Sequence, residues 1–135
     1  MYEQLTAFIP RLSGPDFGRL AGGEKLDDGT FTFPYIIYSR DVEEFRRTFF
    51  EFAGPKKELD IYNYGNTLER YGLDRGHSVM VSADVSRLDG KAVIALICCA
   101  LRMERFCDGA ILGFLEDGCI QKWLERLRDI DQQAQ

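Results

Sequence analysis

Four charged residues close the most apolar stretch of this 135-residue chain. Arg102, Glu104, Arg105 and Asp108 follow ten consecutive apolar residues, Ala92 to Leu101. On a continuing helix Arg102 and Arg105 fall on neighbouring faces, while Glu104 and Asp108 stand one turn apart. Two guanidinium groups so placed can grip a carboxylate or phosphate, and acids beside them can exchange protons. Asp84 and His77 complete the candidate ligand-binding set. The competing reading is architectural. Arginines at a helix C-terminus suit its dipole, and Arg102 and Arg105 can pair with Asp84, Glu104 or Asp108 to lock a helix junction, at small net stabilisation. The architectural reading is the favoured one.

Other reactive residue types give weaker patterns. His77 is the only histidine. As a base it would need an oriented nucleophile, and Ser78, Ser82 and Cys107 are the candidates within the chain. Of Cys98, Cys99, Cys107 and Cys119, only Cys107 lies near an arginine and a helix start, where a thiolate is favoured. The other reading, a small buried hydrophobe, suits all four cysteines better. No C-x-x-C occurs, and one histidine with four scattered cysteines gives no metal-ligand spacing. The glycines between residues 14 and 29 match no phosphate-binding loop, and no G-x-S-x-G elbow is present. No metal and no cofactor is expected.

The elements that must position these residues are mainly helical. Leu5, Phe8, Ile9 and Leu12 recur at helical spacing, interrupted by Pro10. Residues 13–30, rich in glycine, read as a loose loop with a helical turn near Asp16 to Leu20. Thr30 to Tyr38 reads as a short strand, which Pro34 keeps at an edge. Ser39 caps a helix bearing the stripe Val42, Phe45, Phe49 and Phe52, which Gly54-Pro55 stops. Ile61, Tyr64, Leu68 and Tyr71 mark another helix, ended by Gly72. Residues 72–81 read as a loop leading into an extended piece, Val79 to Val81, that can pair with the strand at 30–38. Ser86 to Asp89 matches a capping box ahead of the apolar run, whose helix should reach about Cys107. Asp108 then caps a short helix ending near Gly118. Ile120, Trp123, Leu124, Leu127 and Ile130 form the clearest amphipathic helix, with a fraying tail at Gln132 to Gln135.

This predicts a mainly α fold: a compact single-domain bundle of five or six helices over residues 1–135, around a central apolar helix, with at most a minor two-stranded element. Ten apolar residues are half of a bilayer span of about 20, so no membrane segment is expected. The 17 basic and 22 acidic side chains leave a net charge of −5, which argues against phosphate-driven nucleic-acid binding. The start, MYEQLTAFIPRL, has no basic region followed by an apolar stretch, so a cytoplasmic protein with reduced thiols is expected. Phe49 and Phe50 point about 100° apart on a helix, more than one neighbour covers. Either two neighbours cover this helix or one side meets another subunit, and with Trp123 the second alternative points to a homodimer.

The blocks Ala83 to Asp89, Ala95-Leu96, Arg102 to Leu112 and Gly118 to Leu127 resemble a family of small bacterial proteins of unknown function. Phe8-Ile9-Pro10, Phe17-Gly18 and Pro34-Tyr35 extend the resemblance over most of the chain. Cys98-Cys99 departs from it, standing where glycine or alanine is expected. The resemblance implies no activity, substrate or cofactor. Two functions stay open: a non-enzymatic binding or protein-interaction domain that forms homo-oligomers, and a small enzyme or anionic-ligand-binding domain using Arg102, Glu104, Arg105 and Asp108.

Overall fold

In the computed structural model, which describes residues 1–73 and 76–134, the central apolar helix is the axis of the molecule. This helix, α5 (Gly90–Met103), is buried from Ala92 to Leu101 on every face. Each leucine or isoleucine so enclosed stabilises the fold by roughly 1.5–3 kcal/mol, which explains why neighbours surround the helix completely. They are α3 (Tyr64–Arg70), α6 (Ala110–Glu116) and α7 (Cys119–Gln133). Helix α1 (Glu3–Thr6) packs against α7 and against α2 (Arg40–Ala53). The Asp131 carboxylate accepts from the Tyr2 amide at 2.7 Å and ties the two chain ends together. A short α4 (His77–Ser82) makes seven α-helices among the described residues, with 3-10 turns at Ile61–Asn63 and Val85–Arg87.

Local sequence explains the start of α5, though one turn later than the capping-box reading. Asp89 is the N-cap and accepts from the Ala92 amide at 2.9 Å. Ser86 instead lies in the preceding 3-10 turn, where Asp84 accepts from both its amide and its hydroxyl. Gly90 is required by close approach: a Cβ there would meet the Tyr2 hydroxyl at 1.9 Å. At the far end α5 stops at Met103, not Cys107, and Gly109, with φ 89°, precedes α6 in the place expected of Asp108.

The two-stranded element is real but differs in its partner. β2 (Tyr35–Tyr38) pairs antiparallel with β1 (Gly18–Ala21), Gly18 opposite Tyr38 and Ala21 opposite Tyr35. The segment expected to pair with it, Val79 to Val81, is helical within α4. Of the helical turn expected near Asp16 to Leu20, Gly18 to Leu20 lie in β1 instead. Local closure explains the outcome. The two strands are joined by 13 residues, and Gly22 and Gly23 both adopt positive φ, which lets the chain fold back.

Among the described residues no helix is long and apolar enough to cross a membrane. Phe49 and Trp123 are fully buried inside the protomer, and Phe50 is partly buried against the core. Phe49 is flanked by Phe50 at 5.1 Å and Trp123 by Phe114 at 5.7 Å between ring centroids. Phe49 and Trp123 thus pack within their own chain, while Phe50 keeps part of its surface open.

Candidate functional site

The loop from α5 to α6 reverses the chain around one carboxylate. Glu104 Oε1 accepts from the Tyr38 hydroxyl at 2.6 Å and the Ile111 amide at 2.9 Å, while Oε2 accepts from the Gly109 amide at 2.8 Å. The Tyr38 hydroxyl in turn accepts from the Leu112 amide at 3.1 Å. Three amides at the start of α6 thus find partners in one network, which meets the demand of a helix N-terminus for acceptors. Burial and the bond to Glu104 hold the Tyr38 hydroxyl protonated, raising its pKa well above the ordinary 10. Glu104 thus ties the start of α6 to the end of β2.

The two arginines lie outside that network. Arg102 in the last turn of α5 and Arg105 just beyond its end meet Arg46 and Phe50 of α2 across a groove of about 280 Å³, with Leu101 in its wall. Arg102 stands 5.8 Å from the ring centroids of both Phe50 and Tyr62, a cation–π distance. Its Nε is buried and has no hydrogen-bond partner. Beneath it, burial raises the pKa of the Cys98 thiol, which donates to the Ile61 carbonyl at 3.6 Å, and the charge of Arg102 and a side-chain hydrogen bond with it oppose that rise. Arg46 bonds Glu43 at 3.0 Å. Among the described residues neither Arg102 nor Arg105 has an ion-pair partner.

The remaining candidates are dispersed. Asp108 is exposed ahead of α6 and makes no hydrogen bond or ion pair among the described residues. His77 is the first residue of α4, half-exposed, 3.5 Å from the Asp117 carboxylate and stacked at 4.7 Å on Phe114. Asp84 lines a second hollow of about 320 Å³ with Lys122, Glu125, Arg126 and Asp129. Its hydrogen bonds from Ser86 hold its pKa below the usual carboxylate value. In that hollow Lys122 donates to the Val81 and Ala83 carbonyls and Arg126 to the Leu88 carbonyl, so its cations serve the fold. Cys98, Cys99 and Cys119 are buried, Cys107 is exposed, and none is in a disulfide. Among the described residues no three His, Cys, Asp or Glu side chains cluster as metal ligands.

Comparison with known families places the chain. A family description matches it from residue 1 to residue 133, nearly its whole length. The protein belongs to DUF6508, a family of unknown function. No curated protein and no solved structure matches it. Within this DUF6508 chain the geometry therefore carries the functional argument alone, and it divides the cluster at 102–108. Glu104 turns inward as a helix cap, Asp108 faces solvent, and the two arginines line a groove. Sequence reasoning missed Tyr38 and Arg46. Both lie more than fifty residues from Arg102 in the chain and were hidden inside a strand and a helix surface. A tyrosine ending an otherwise edge-like strand was the available hint, since a buried hydroxyl needs a partner.

Proposed function

We propose that the protein is a non-enzymatic binding domain whose ligand is a small anion carrying a flat or apolar group, held in the groove between α2 and α5. One observation carries this reading: Arg102 Nε is buried at the groove without a hydrogen-bond partner. A buried donor left unmade costs about 1–3 kcal/mol, and an acceptor from a ligand removes that cost. The lining supports the class of ligand. Arg46, Arg102 and Arg105 supply donors for a carboxylate or phosphate. Phe50 and Leu101 supply an apolar wall. A volume of about 280 Å³ lies just under the range of roughly 300–1,000 Å³ for drug-sized ligands, so the ligand is small. The lining holds no carboxylate, histidine or thiol to act as acid, base or nucleophile, which supports binding over catalysis by Glu104 and Asp108.

Calorimetric titration with phenyl phosphate, benzoate and inorganic phosphate tests this. Phenyl phosphate should bind, inorganic phosphate should bind more weakly, and the Arg102→Met/Arg105→Ala double variant should lose about tenfold or more in affinity. Equal binding to the double variant, or no heat from any of the three anions at millimolar concentration, overturns the reading.

A further inference from the structure

Tyr62 stands beside the groove between α2 and α5, in a place the fold holds at a local cost. It is 74% exposed, yet its ring centroid lies 5.8 Å from the Arg102 guanidinium, as does that of Phe50 within the groove. The 3-10 turn that carries it follows Asp60, whose φ is 49°. Asp60 is the one non-glycine residue with positive φ among the described residues, a conformation that a Cβ disfavours. Two bonds from Asn63 hold it there. The Asn63 backbone amide donates to the Asp60 carbonyl at 3.0 Å and its side-chain amide to the Asp60 carboxylate at 2.9 Å. Ile61 is buried, and its carbonyl accepts from the Cys98 thiol of α5. The turn is thus fastened to α5 through Ile61 while the Tyr62 ring is left open to solvent.

The charge of the groove is equally selective. Three guanidinium groups line it and no carboxylate does. Glu43 answers Arg46. Arg102 and Arg105 have no ion-pair partner among the described residues, and the Glu104 carboxylate between them in the chain is taken by Tyr38 and the amides of α6. A carboxylate ligand would match one of these two arginines. A phosphate monoester, doubly charged above its second ionisation at about pH 6, matches both.

Resting on the anion-binding reading of this groove, we infer that its ligand is the phosphate monoester dianion of a flat aromatic group, with the phosphate held by Arg102 and Arg105 and the ring stacked on Tyr62. The 5.8 Å between the Arg102 guanidinium and the Tyr62 ring lets one aryl phosphate touch both.

Calorimetric titration of the full chain at about pH 8, where phenyl phosphate is a dianion, tests this. Phenyl phosphate should bind about tenfold tighter than benzenesulfonate, a monoanion of similar shape. It should also bind tighter than cyclohexyl phosphate, which has the charge without the flat ring. Tyr62→Ala should weaken phenyl phosphate about fivefold and leave inorganic phosphate unchanged, and Tyr62→Trp should keep the parent affinity. Both variants should keep the parent's circular dichroism, because the side chain is exposed. N-acetyl phosphotyrosine amide and adenosine monophosphate separate a protein-borne ring from a free nucleotide. Either one binding more tightly than phenyl phosphate supports the inference and names the source. Benzenesulfonate or benzoate binding as tightly as phenyl phosphate overturns the inference and leaves the anion site standing. So does a Tyr62→Ala chain with undiminished affinity for phenyl phosphate. Silence from every anion overturns both.

Discussion

Glu104 and Arg102 stand two residues apart at the end of one helix, and the fold treats their charges in opposite ways. The carboxylate receives three hydrogen bonds and caps the next helix. The guanidinium receives two ring faces and leaves a buried Nε unmet. A charge that the fold has satisfied holds structure, and a charge it has surrounded but not satisfied is the one on which the proposed ligand site rests. Composition does not separate these two cases; the direction each side chain takes from the helix does.

The sharpest way to break this comparison is Glu104→Ala. It strips the acceptor from the Gly109 and Ile111 amides and from the Tyr38 hydroxyl together. A loss of about 2–4 kcal/mol is expected from denaturant unfolding. Glu104→Gln keeps one acceptor oxygen and should cost less. Tyr38→Phe should cost about 1–2 kcal/mol, because the part-buried Leu112 amide then lacks its acceptor. A Glu104→Ala chain as stable as the parent would place Glu104 with the arginines as a functional group.

The arginine side predicts the opposite sign. Arg102→Met keeps the stem that packs in the groove and removes the unpartnered Nε. Thermal unfolding should show stability unchanged or raised by about 1 kcal/mol. Arg105→Ala, at an exposed position, should stay within about 0.5 kcal/mol. A severe loss in either variant would make the pair as architectural as Glu104, and the groove would lose its claim to a ligand.

The same contrast marks what could be read from the chain. The stripes Val42-Phe45-Phe49-Phe52 and Ile120-Trp123-Leu124-Leu127 appear as buried helix faces, because 3.6-residue periodicity is set locally. The enclosure of Ala92 to Leu101 was legible for a similar reason, since ten apolar residues leave no face for water. The capping box failed by a short shift. Ser86 and Asp89 are both cap-forming types, and the choice between them fell to Asp84, whose side chain claims Ser86 for a tight turn. The strand partner was misread because β1 has only four residues, two of them small, and so shows no strand periodicity. Of the residues lining the groove, spacing singled out Arg102 and Arg105, but Arg46 reaches them from another helix, and no linear pattern records that approach.

A surface pair sharpens the comparison at its weakest end. Glu44 is held by Arg11 and, one turn back on α2, by Arg40, and the bond from Arg11 is the larger cause that keeps its pKa below the ordinary 4.5. It is a satisfied carboxylate like Glu104, but water reaches it and screens it. A folded-state pKa below the unfolded one contributes stability above the unfolded value, lost as pH falls through the folded value. The denaturation midpoint of the parent should therefore fall as pH drops below about 4.5. Arg11→Ala should lower the midpoint slightly at neutral pH and flatten that acid slope, and added salt should erase most of the difference between the two chains. Parallel slopes for parent and variant would show that Arg11 leaves the Glu44 carboxylate energetically alone. Fold-level satisfaction would then be confined to carboxylates that, like Glu104, accept from the backbone.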